Sequence, residues 1–456
     1  MNTTSTTTTN TTLCFPRNLS SSAPSSSSSK SLIVSSVIPT SKELPKGYIM
    51  LKIDKFGWSA NNVTYQALGE HPHFRYYDFH PAPVSSSASV SPQSHGVVPV
   101  WGFGTVVASA HSQVPIGERL YGYFAPARYL VLPIDEKDVN KYSIYVPRPH
   151  LPADRRVYNQ IQRCSTDLLY SRETEDLTML YRPLFWTSYW CEDWLASSGY
   201  RGGCEYILIS SASSKTAFCF AYSVRKRIER GLPKESTSNV RIIGLTSKGN
   251  LHFTEKLGLY HEVYDYDSFL SAKPFHTKDK SKPQPRWIYI DVAGNQTLNS
   301  KIYTHFASPY SVSKLVAAVS LGMTNLAPGE AKADTIEWTA NLENTSENGG
   351  GTKPISSSPS LGFWPRTEQF FLPEWLAIRR LQLTPTQMFD AQKEAWGALM
   401  QDCPSWVKLE YVYGGEQVQK AYEAMASSSR GLGPDKGWIW SMWDTEAENG
   451  VIKAKL

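Results

Sequence analysis

The stretch from Glu205 to Tyr266 constrains the fold of this chain more than any other part of the sequence. It begins with the apolar run Ile207–Ile209, continues through a turn of small polar residues into a segment with helical spacing, and reaches a second apolar run, Val240–Leu245. Apolar runs without alternation are typical of parallel strands that are buried on both faces. Strands that alternate with helices predict a parallel sheet, with a ligand at the carboxyl ends of its strands.

The turn after the first strand, Ser210–Ala217, contains no glycine. Dinucleotide-binding βαβ units carry glycines there because main-chain amides must approach a pyrophosphate at the start of the helix. Serine hydroxyls can donate hydrogen bonds to phosphate oxygens, and a lysine adds a positive charge. The sequence therefore predicts a phosphate site made of side chains, from Ser213, Ser214, Lys215 and Thr216. The alternative is a decayed site in which these residues only begin a helix.

The end of the second strand carries a cation and two hydroxyls, in the residues Thr246, Ser247 and Lys248, and Asn250 follows. An NAD site places Asp or Glu at this position, where it accepts a hydrogen bond from the ribose 2′-hydroxyl. A lysine attracts a 2′-phosphate, whereas a carboxylate repels it. The strand end therefore favours NADP(H) over NAD(H). The alternative for Lys248 is an exposed turn residue without a ligand.

The length of 456 residues exceeds one ordinary core and predicts two domains with additions. Residues 1–44 are rich in Ser and Thr, which predicts a disordered tail and leaves a targeting peptide as an alternative. Short strands between Gly and Pro residues predict an all-β unit next, and the alternating strands and helices follow it. The expected divisions are a catalytic domain at 45–185, a cofactor domain at 186–326, a flexible loop at 327–362 and a return to the catalytic domain at 363–456.

Composition excludes several classes of partner. The net charge of +5 is small for this length, and the basic residues form no single stripe, so nucleic acid is not an expected partner. The longest apolar runs fall far short of the roughly 20 residues that span a bilayer. None of the six cysteines forms a C-x-x-C pair or has a histidine at metal-ligand spacing, which predicts free buried thiols and no zinc site.

Three further segments carry a family resemblance: Ser59–Tyr65, the glycine-punctuated run Gly102–Val107 with Ile116–Gly122, and Ser247–Gly258. In this order they resemble the medium-chain dehydrogenase/reductase superfamily. The chain looks closest to its zinc-free quinone-reductase branch and to a group of uncharacterised fungal and bacterial relatives. The resemblance implies an α/β fold, with a Rossmann doubly wound parallel sheet plus a GroES-like β-barrel catalytic domain. Zinc-dependent members carry Gly-His-Glu where this chain has Pro99-Val100-Trp101, so the resemblance implies no zinc.

The resemblance also implies site residues and a reaction. Tyr65 is the candidate proton donor, with water as its alternative, and Asn62 is the candidate for orienting cofactor or substrate. The alternative for Tyr65 is a packing residue. Gly294, Gly322 and Met323 would flank the nicotinamide and its ribose, and the alternative is that they are ordinary turn residues between strands and helices. The expected activity is NADPH-dependent, zinc-independent reduction of a small enone, quinone or enoyl substrate. The alternatives are an enoyl reductase of a biosynthetic pathway and a non-catalytic NADP(H)-binding protein of the same fold. The resemblance implies a homodimer, and a cytoplasmic location is expected.

Overall fold

The computed structural model describes residues 8–17, 31–85, 88–231, 240–276, 283–321, 365–427 and 432–445. These residues form two compact units, each described by itself. The first unit takes the chain up to Leu180 and again from Pro385 onward, and the second contains the described residues from Tyr181 to Thr384. No helix within the described ranges is long and apolar enough to cross a membrane.

The strands found in these ranges are β1 (Thr8–Pro16), β2 (Leu32–Ile38), β3 (Tyr48–Trp58), β4 (His95–Gly96), β5 (Val100–Ser109), β6 (Arg119–Phe124), β7 (Tyr129–Pro133), β8 (Ser143–Tyr145), β9 (Gln160–Arg163), β10 (Tyr206–Ile209), β11 (Arg241–Thr246), β12 (Glu262–Asp265), β13 (Arg286–Asp291), β14 (Lys314–Ser320), β15 (Thr367–Gln369), β16 (Lys408–Tyr413) and β17 (Lys436–Ser441). The helical segments are α1 (Ala60–Ala67), α2 (Glu175–Ser197), α3 (Gly199–Gly202), α4 (Lys215–Glu229), α5 (Leu251–Lys256), α6 (Lys273–His276), α7 (Gln296–Ala307), α8 (Leu372–Gln382), α9 (Pro385–Asp402) and α10 (Gly415–Ala426).

The second unit is built on a six-stranded sheet in the order β12-β11-β10-β13-β14-β15. Every neighbouring pair in it is parallel. The chain begins in the middle at β10, moves outward to β12, then returns past β10 and continues to β15. This order, 3-2-1-4-5-6 along the chain, is that of a Rossmann doubly wound sheet. The α/β fold class predicted from the sequence is confirmed by this topology.

Apolar side chains explain why these strands lie at the centre of the unit. One buried cluster joins the two strands to a helix: it contains Leu208 of β10, Trp287 and Tyr289 of β13, and Leu298 and Ile302 of α7. Ser214 caps the helix α4, and its hydroxyl accepts a hydrogen bond from the Ala217 amide at 3.4 Å. Every residue of α4 from Thr216 through Val224 is buried. The carboxyl end of each of the strands β10, β11 and β13 leads into a helix. Apolar side chains cover the sheet that these strands form.

The first unit combines an eight-stranded mixed sheet with a three-stranded sheet, β2-β1-β4. β3 is the central strand of the eight-stranded sheet, because it pairs antiparallel with β5, β7 and β17. β17 comes from the C-terminal part of the chain, so both ends of the sequence contribute to this sheet, as predicted. The six cysteines are free and buried, which confirms the expectation of unpaired thiols.

Several expectations are corrected. Residues 1–44 are not a disordered tail throughout, because β1 and β2 pair in seven-residue register, and β1 extends to β4. The segment from 363 does not return directly to the first unit. Thr367–Gln369 instead adds the sixth strand of the parallel sheet, and α8 also belongs to the second unit. The division at Leu180 falls within α2, which continues through Pro183. The expected loop at 327–362 lies outside the described residues.

Candidate functional site

The turn between β10 and α4 adopts the backbone conformation of a glycine turn without a glycine. Ser211 has φ of +51°, in the left-handed region. This conformation costs a non-glycine residue roughly 1–2 kcal/mol. The Ser211 amide donates a hydrogen bond to the Tyr266 hydroxyl at 3.2 Å. The strained backbone is thus held by a phenol from the segment that follows β12.

The hydroxyl of Ser213 joins this turn to the end of β11. It accepts hydrogen bonds from Thr246 Oγ1 at 3.1 Å and from Asn250 Nδ2 at 3.2 Å. Ser213 and Thr246 are both buried. The structure therefore brings together residues that the sequence predicted for two different parts of the cofactor site.

The first turn of α4 contains the other predicted phosphate ligands. Ser214 is the N-cap, Lys215 is the first helical residue and half-buried, and Thr216 is buried. The first turn contains no acidic residue. Unsatisfied amides and the helix dipole favour an anion at such an end, and Lys215 adds to that field. The donor set, three hydroxyls and one cation, fits a pyrophosphate.

Lys248 stands at the other end of this site. It is exposed, as is Ser247, and both directly follow β11. The Lys248 side chain forms no hydrogen bond or ion pair with any residue that the structure describes. An exposed cation without a carboxylate partner is available to a phosphate group.

Gly244 in β11 allows the turn to approach the sheet closely. A Cβ atom at this glycine would lie 2.8 Å from the Cβ atom of Ala212 and 3.0 Å from the Tyr260 ring. The Ala212 amide donates to the Leu245 carbonyl at 2.8 Å, and its carbonyl accepts from the Tyr260 hydroxyl at 2.8 Å. Hydrogen bonds to the Ala212 backbone therefore hold the turn against β11, and the missing side chain at Gly244 leaves room for this contact.

The turn between β13 and α7 contains Gly294, which has φ of +62°. Asn295 caps α7 by accepting a hydrogen bond from the Leu298 amide at 3.0 Å. The Gly294 amide donates to Asp291 Oδ1, also at 3.0 Å. Gly322 and Met323, the other residues expected around the nicotinamide, lie outside the described residues.

Sequence reasoning missed three residues of this region: Ser210, Tyr266 and Asp291. Each directly follows or ends a strand of the parallel sheet, and each forms a hydrogen bond with another turn. Their positions in the sequence could have indicated them, because polar residues at the carboxyl ends of parallel strands lie along one edge of the sheet. Their specific partners come from distant parts of the chain and have no sequence signature.

The two predicted catalytic residues lie in the first unit. Asn62, in α1, is 3% exposed. Its Oδ1 accepts from the Ser59 amide at 2.9 Å and its Nδ2 donates to the Pro99 carbonyl at 3.0 Å. Both ends of the amide are therefore engaged in fixing the start of α1 beside the segment that precedes β5.

Tyr65 belongs to a buried group of aromatic rings. Its ring centroid lies 4.6 Å from that of Tyr76 and 5.4 Å from that of Tyr123, and its hydroxyl accepts from Trp101 Nε1 at 3.5 Å. Burial, and secondarily the Tyr158 phenol, raises the pKa of Tyr65 above its usual value. The neutral phenol is therefore strongly favoured, and releasing its proton is costly.

Metal ligation has no candidate in the described part of the chain. No group of three or more His, Cys, Asp or Glu side chains there could hold a metal ion. Trp101, one of the residues in place of the zinc-dependent members' Gly-His-Glu, stacks on Tyr121 with ring centroids 5.6 Å apart.

A family model described as "Protein of unknown function (DUF2855)" matches residues 56–430 of the chain. Comparison with curated proteins finds no match.

Several solved structures are similar to the chain. The yhdH oxidoreductase from Salmonella enterica in complex with NADP is 12% identical, with 94% of this chain and 99% of that chain covered and a TM-score of 0.43. CurA from Vibrio vulnificus in complex with NADPH is 11% identical, with 94% and 98% covered and a TM-score of 0.44. A putative NADPH:quinone reductase from Bacillus thuringiensis is 11% identical, with 95% and 99% covered and a TM-score of 0.44.

Proposed function

This chain belongs to the family of proteins of unknown function DUF2855, and from that premise we propose that it is an NADPH-dependent, zinc-independent reductase of activated double bonds. NADPH, when bound, supplies a hydride to such a substrate. The substrate class is a small enone, quinone or enoyl compound. We assign cofactor binding to residues of the second unit. The residue considered as a proton donor, Tyr65, lies in the first unit.

The observation that carries the proposal is the joined pair of turns at the ends of β10 and β11. Hydroxyls and Lys215 lie at the start of α4, and Ser213 connects them by hydrogen bonds to Thr246 and Asn250. The same β11 turn presents Lys248 to solvent without an acidic neighbour that pairs with it among the described residues. A pyrophosphate would bind to the first turn and a 2′-phosphate to the second.

The proton of the reduction is assigned to water. Tyr65 and water are the two candidates, and the Tyr65 side chain is buried among aromatic rings, where its hydroxyl accepts a hydrogen bond from Trp101 Nε1. Asn62 uses both ends of its amide within the first unit, so we assign it the positioning of α1. The homodimer and the cytoplasmic location expected from the sequence stay predictions.

A charge reversal at Lys248 tests the cofactor preference. We expect Lys248→Glu to raise the Kd for NADPH by at least about tenfold, because a carboxylate repels the 2′-phosphate, and to leave the Kd for NADH within about twofold. Lys256→Glu, an exposed charge reversal at the end of α5, is the matched control and should change neither. An unchanged ratio of NADPH to NADH affinity in Lys248→Glu would contradict the assignment.

The reaction class is tested by following NADPH oxidation with a panel of enones, quinones and acyl thioesters. Turnover with one class, unaffected by a zinc chelator, supports the proposed activity. Turnover with acyl thioesters alone would favour the enoyl reductase of a biosynthetic pathway. NADPH binding without turnover of any compound would favour the non-catalytic alternative.

A further inference from the structure

We infer that Ser210 and Asp291 are positioning residues that fix the distance between the two turns holding the two halves of the cofactor. The inference rests on the proposed function, since it concerns the same NADPH site. Neither residue is among the cofactor ligands that are proposed above. We refer to their mutual hydrogen bond as the Ser210–Asp291 bridge.

The bridge lies at the point where the strand order reverses. β10 and β13 are adjacent and parallel, yet the chain reaches β13 only after passing outward through β11 and β12. Ser210 follows β10 directly and Asp291 is the last residue of β13. In a doubly wound sheet, this reversal creates the crevice across which a dinucleotide lies.

The hydroxyl of Ser210 makes three hydrogen bonds. It donates to Asp291 Oδ1 at 2.9 Å, and it accepts from the amides of Val292 at 2.9 Å and Ala293 at 3.0 Å. The side chain is fully buried. One hydroxyl from the first turn therefore satisfies two amides of the other turn, and each of these amides would lack this partner without it.

The carboxylate of Asp291 completes the connection. Its Oδ1 also accepts from the Gly294 amide at 3.0 Å, and its Oδ2 accepts from Asn299 Nδ2 at 2.6 Å. Asn299 in turn accepts a hydrogen bond from the Tyr289 hydroxyl at 2.7 Å. Asp291 is 4% exposed and pairs with no cation among the described residues. A carboxylate buried in this way is held by hydrogen bonds alone.

The bridge therefore holds the turn after β10 at a fixed distance from the turn after β13. Ser210 precedes the phosphate ligand Ser213 by three positions, and Asp291 precedes Gly294 by three. A cofactor that contacts both turns requires them at a fixed separation, whereas a ligand that occupies only the adenosine side does not. The bridge should therefore matter for whole NADPH and be dispensable for its adenosine half.

Two ligands and a small set of variants separate alignment from general stability. We expect Ser210→Ala and Asp291→Ala to raise the Kd for NADPH by at least about tenfold and to leave the Kd for adenosine 2′,5′-bisphosphate within about twofold. Asp291→Asn retains an acceptor for Ser210 and Gly294 and loses the hydrogen bond from Asn299 Nδ2, so NADPH affinity should fall less than in Asp291→Ala. Ser223→Ala removes another buried hydroxyl, one that donates only within α4, and should alter neither Kd.

Binding is measured by calorimetry on the full chain, with thermal unfolding as a parallel readout. A folded Ser210→Ala protein that binds NADPH as tightly as the unmodified protein overturns the inference, as does equal loss of both ligands. Ser210→Ala decides the matter if Asp291→Ala does not fold. If the unmodified protein binds neither ligand, the proposed function itself fails, which is a different result from loss in the variants alone.

Discussion

Ser211 shows how a single residue can take the conformation expected of a glycine. Its left-handed φ preserves the turn, and the Tyr266 hydroxyl accepts its amide hydrogen. From the sequence, the missing glycines left open whether the turn survives at all. Its geometry could not be predicted, because the stabilising phenol lies 55 positions away and belongs to another loop.

Tyr65 is the residue for which burial decides the chemistry. We expect Tyr65→Phe to retain the rate of NADPH-dependent reduction within about tenfold, because a general acid typically contributes a hundredfold or more. Phe keeps the packing against Tyr76 and Tyr123 and loses the hydrogen bonds of the hydroxyl with Trp101 Nε1 and with the Asn61 side chain. Steady-state kinetics give the answer. A loss of kcat beyond a hundredfold, with the variant folded, would restore Tyr65 as the proton donor.

Gly244 belongs to the element scale, because it sets how closely a strand and a turn approach. We expect Gly244→Ala to lower the free energy of unfolding by about 1–3 kcal/mol, since its Cβ atom would meet Ala212 at 2.8 Å. Gly249→Ala is the control: nothing lies within 4 Å of its added Cβ atom, and the expected change is within about 0.5 kcal/mol. Denaturant unfolding of both variants tests this. Equal stability of the two would show that the turn is not packed against β11 in this way.

Elements were predicted well where the hydrophobic pattern is local. The apolar runs of β10 and β11 indicated a buried parallel sheet, and the described strands have that arrangement. β1 was missed because four of its nine residues are threonine, which is polar but β-branched and favourable in strands. β15 is three residues long, and its place beside β14 depends on pairing rather than on its own pattern.

His80 makes the stability of the whole molecule depend on pH. It is buried, its Nε2 lies 2.9 Å from the Tyr123 carbonyl, and burial together with the nearby Arg148 lowers the pKa of His80 to about 3. The unfolded chain binds a proton near pH 6.5, whereas the folded chain stays unprotonated down to about pH 3. Stability from this residue is therefore present above pH 6.5 and is lost progressively as the pH falls through this window.

The prediction is a difference between two proteins. His80→Gln retains a hydrogen-bond donor for the Tyr123 carbonyl and cannot take up a proton. Between pH 6.5 and pH 5 the unmodified protein should lose up to about 2 kcal/mol more unfolding free energy than the variant. Urea denaturation at the two pH values measures it. Parallel losses in both proteins would mean that His80 is not the group that titrates.

At the scale of the whole molecule, the sequence indicated two domains, the contribution of both chain ends to one of them, and the α/β class. It did not indicate that residues 367–382 stay with the parallel sheet or that the N-terminal strands join the mixed sheet's unit. These features depend on long-range pairing, which a local pattern does not specify. For the candidate site, the sequence indicated the turns after β10 and β11 and did not indicate the hydrogen bonds that connect them.

The most direct test of the central claim is calorimetric titration of the unmodified full chain with NADPH and NADH. The hydroxyls and Lys215 at the start of α4, with Lys248 after β11, predict that NADPH binds and that its Kd is at least about tenfold lower than that of NADH. Absence of NADPH binding, or equal affinity for the two cofactors, would contradict the claim.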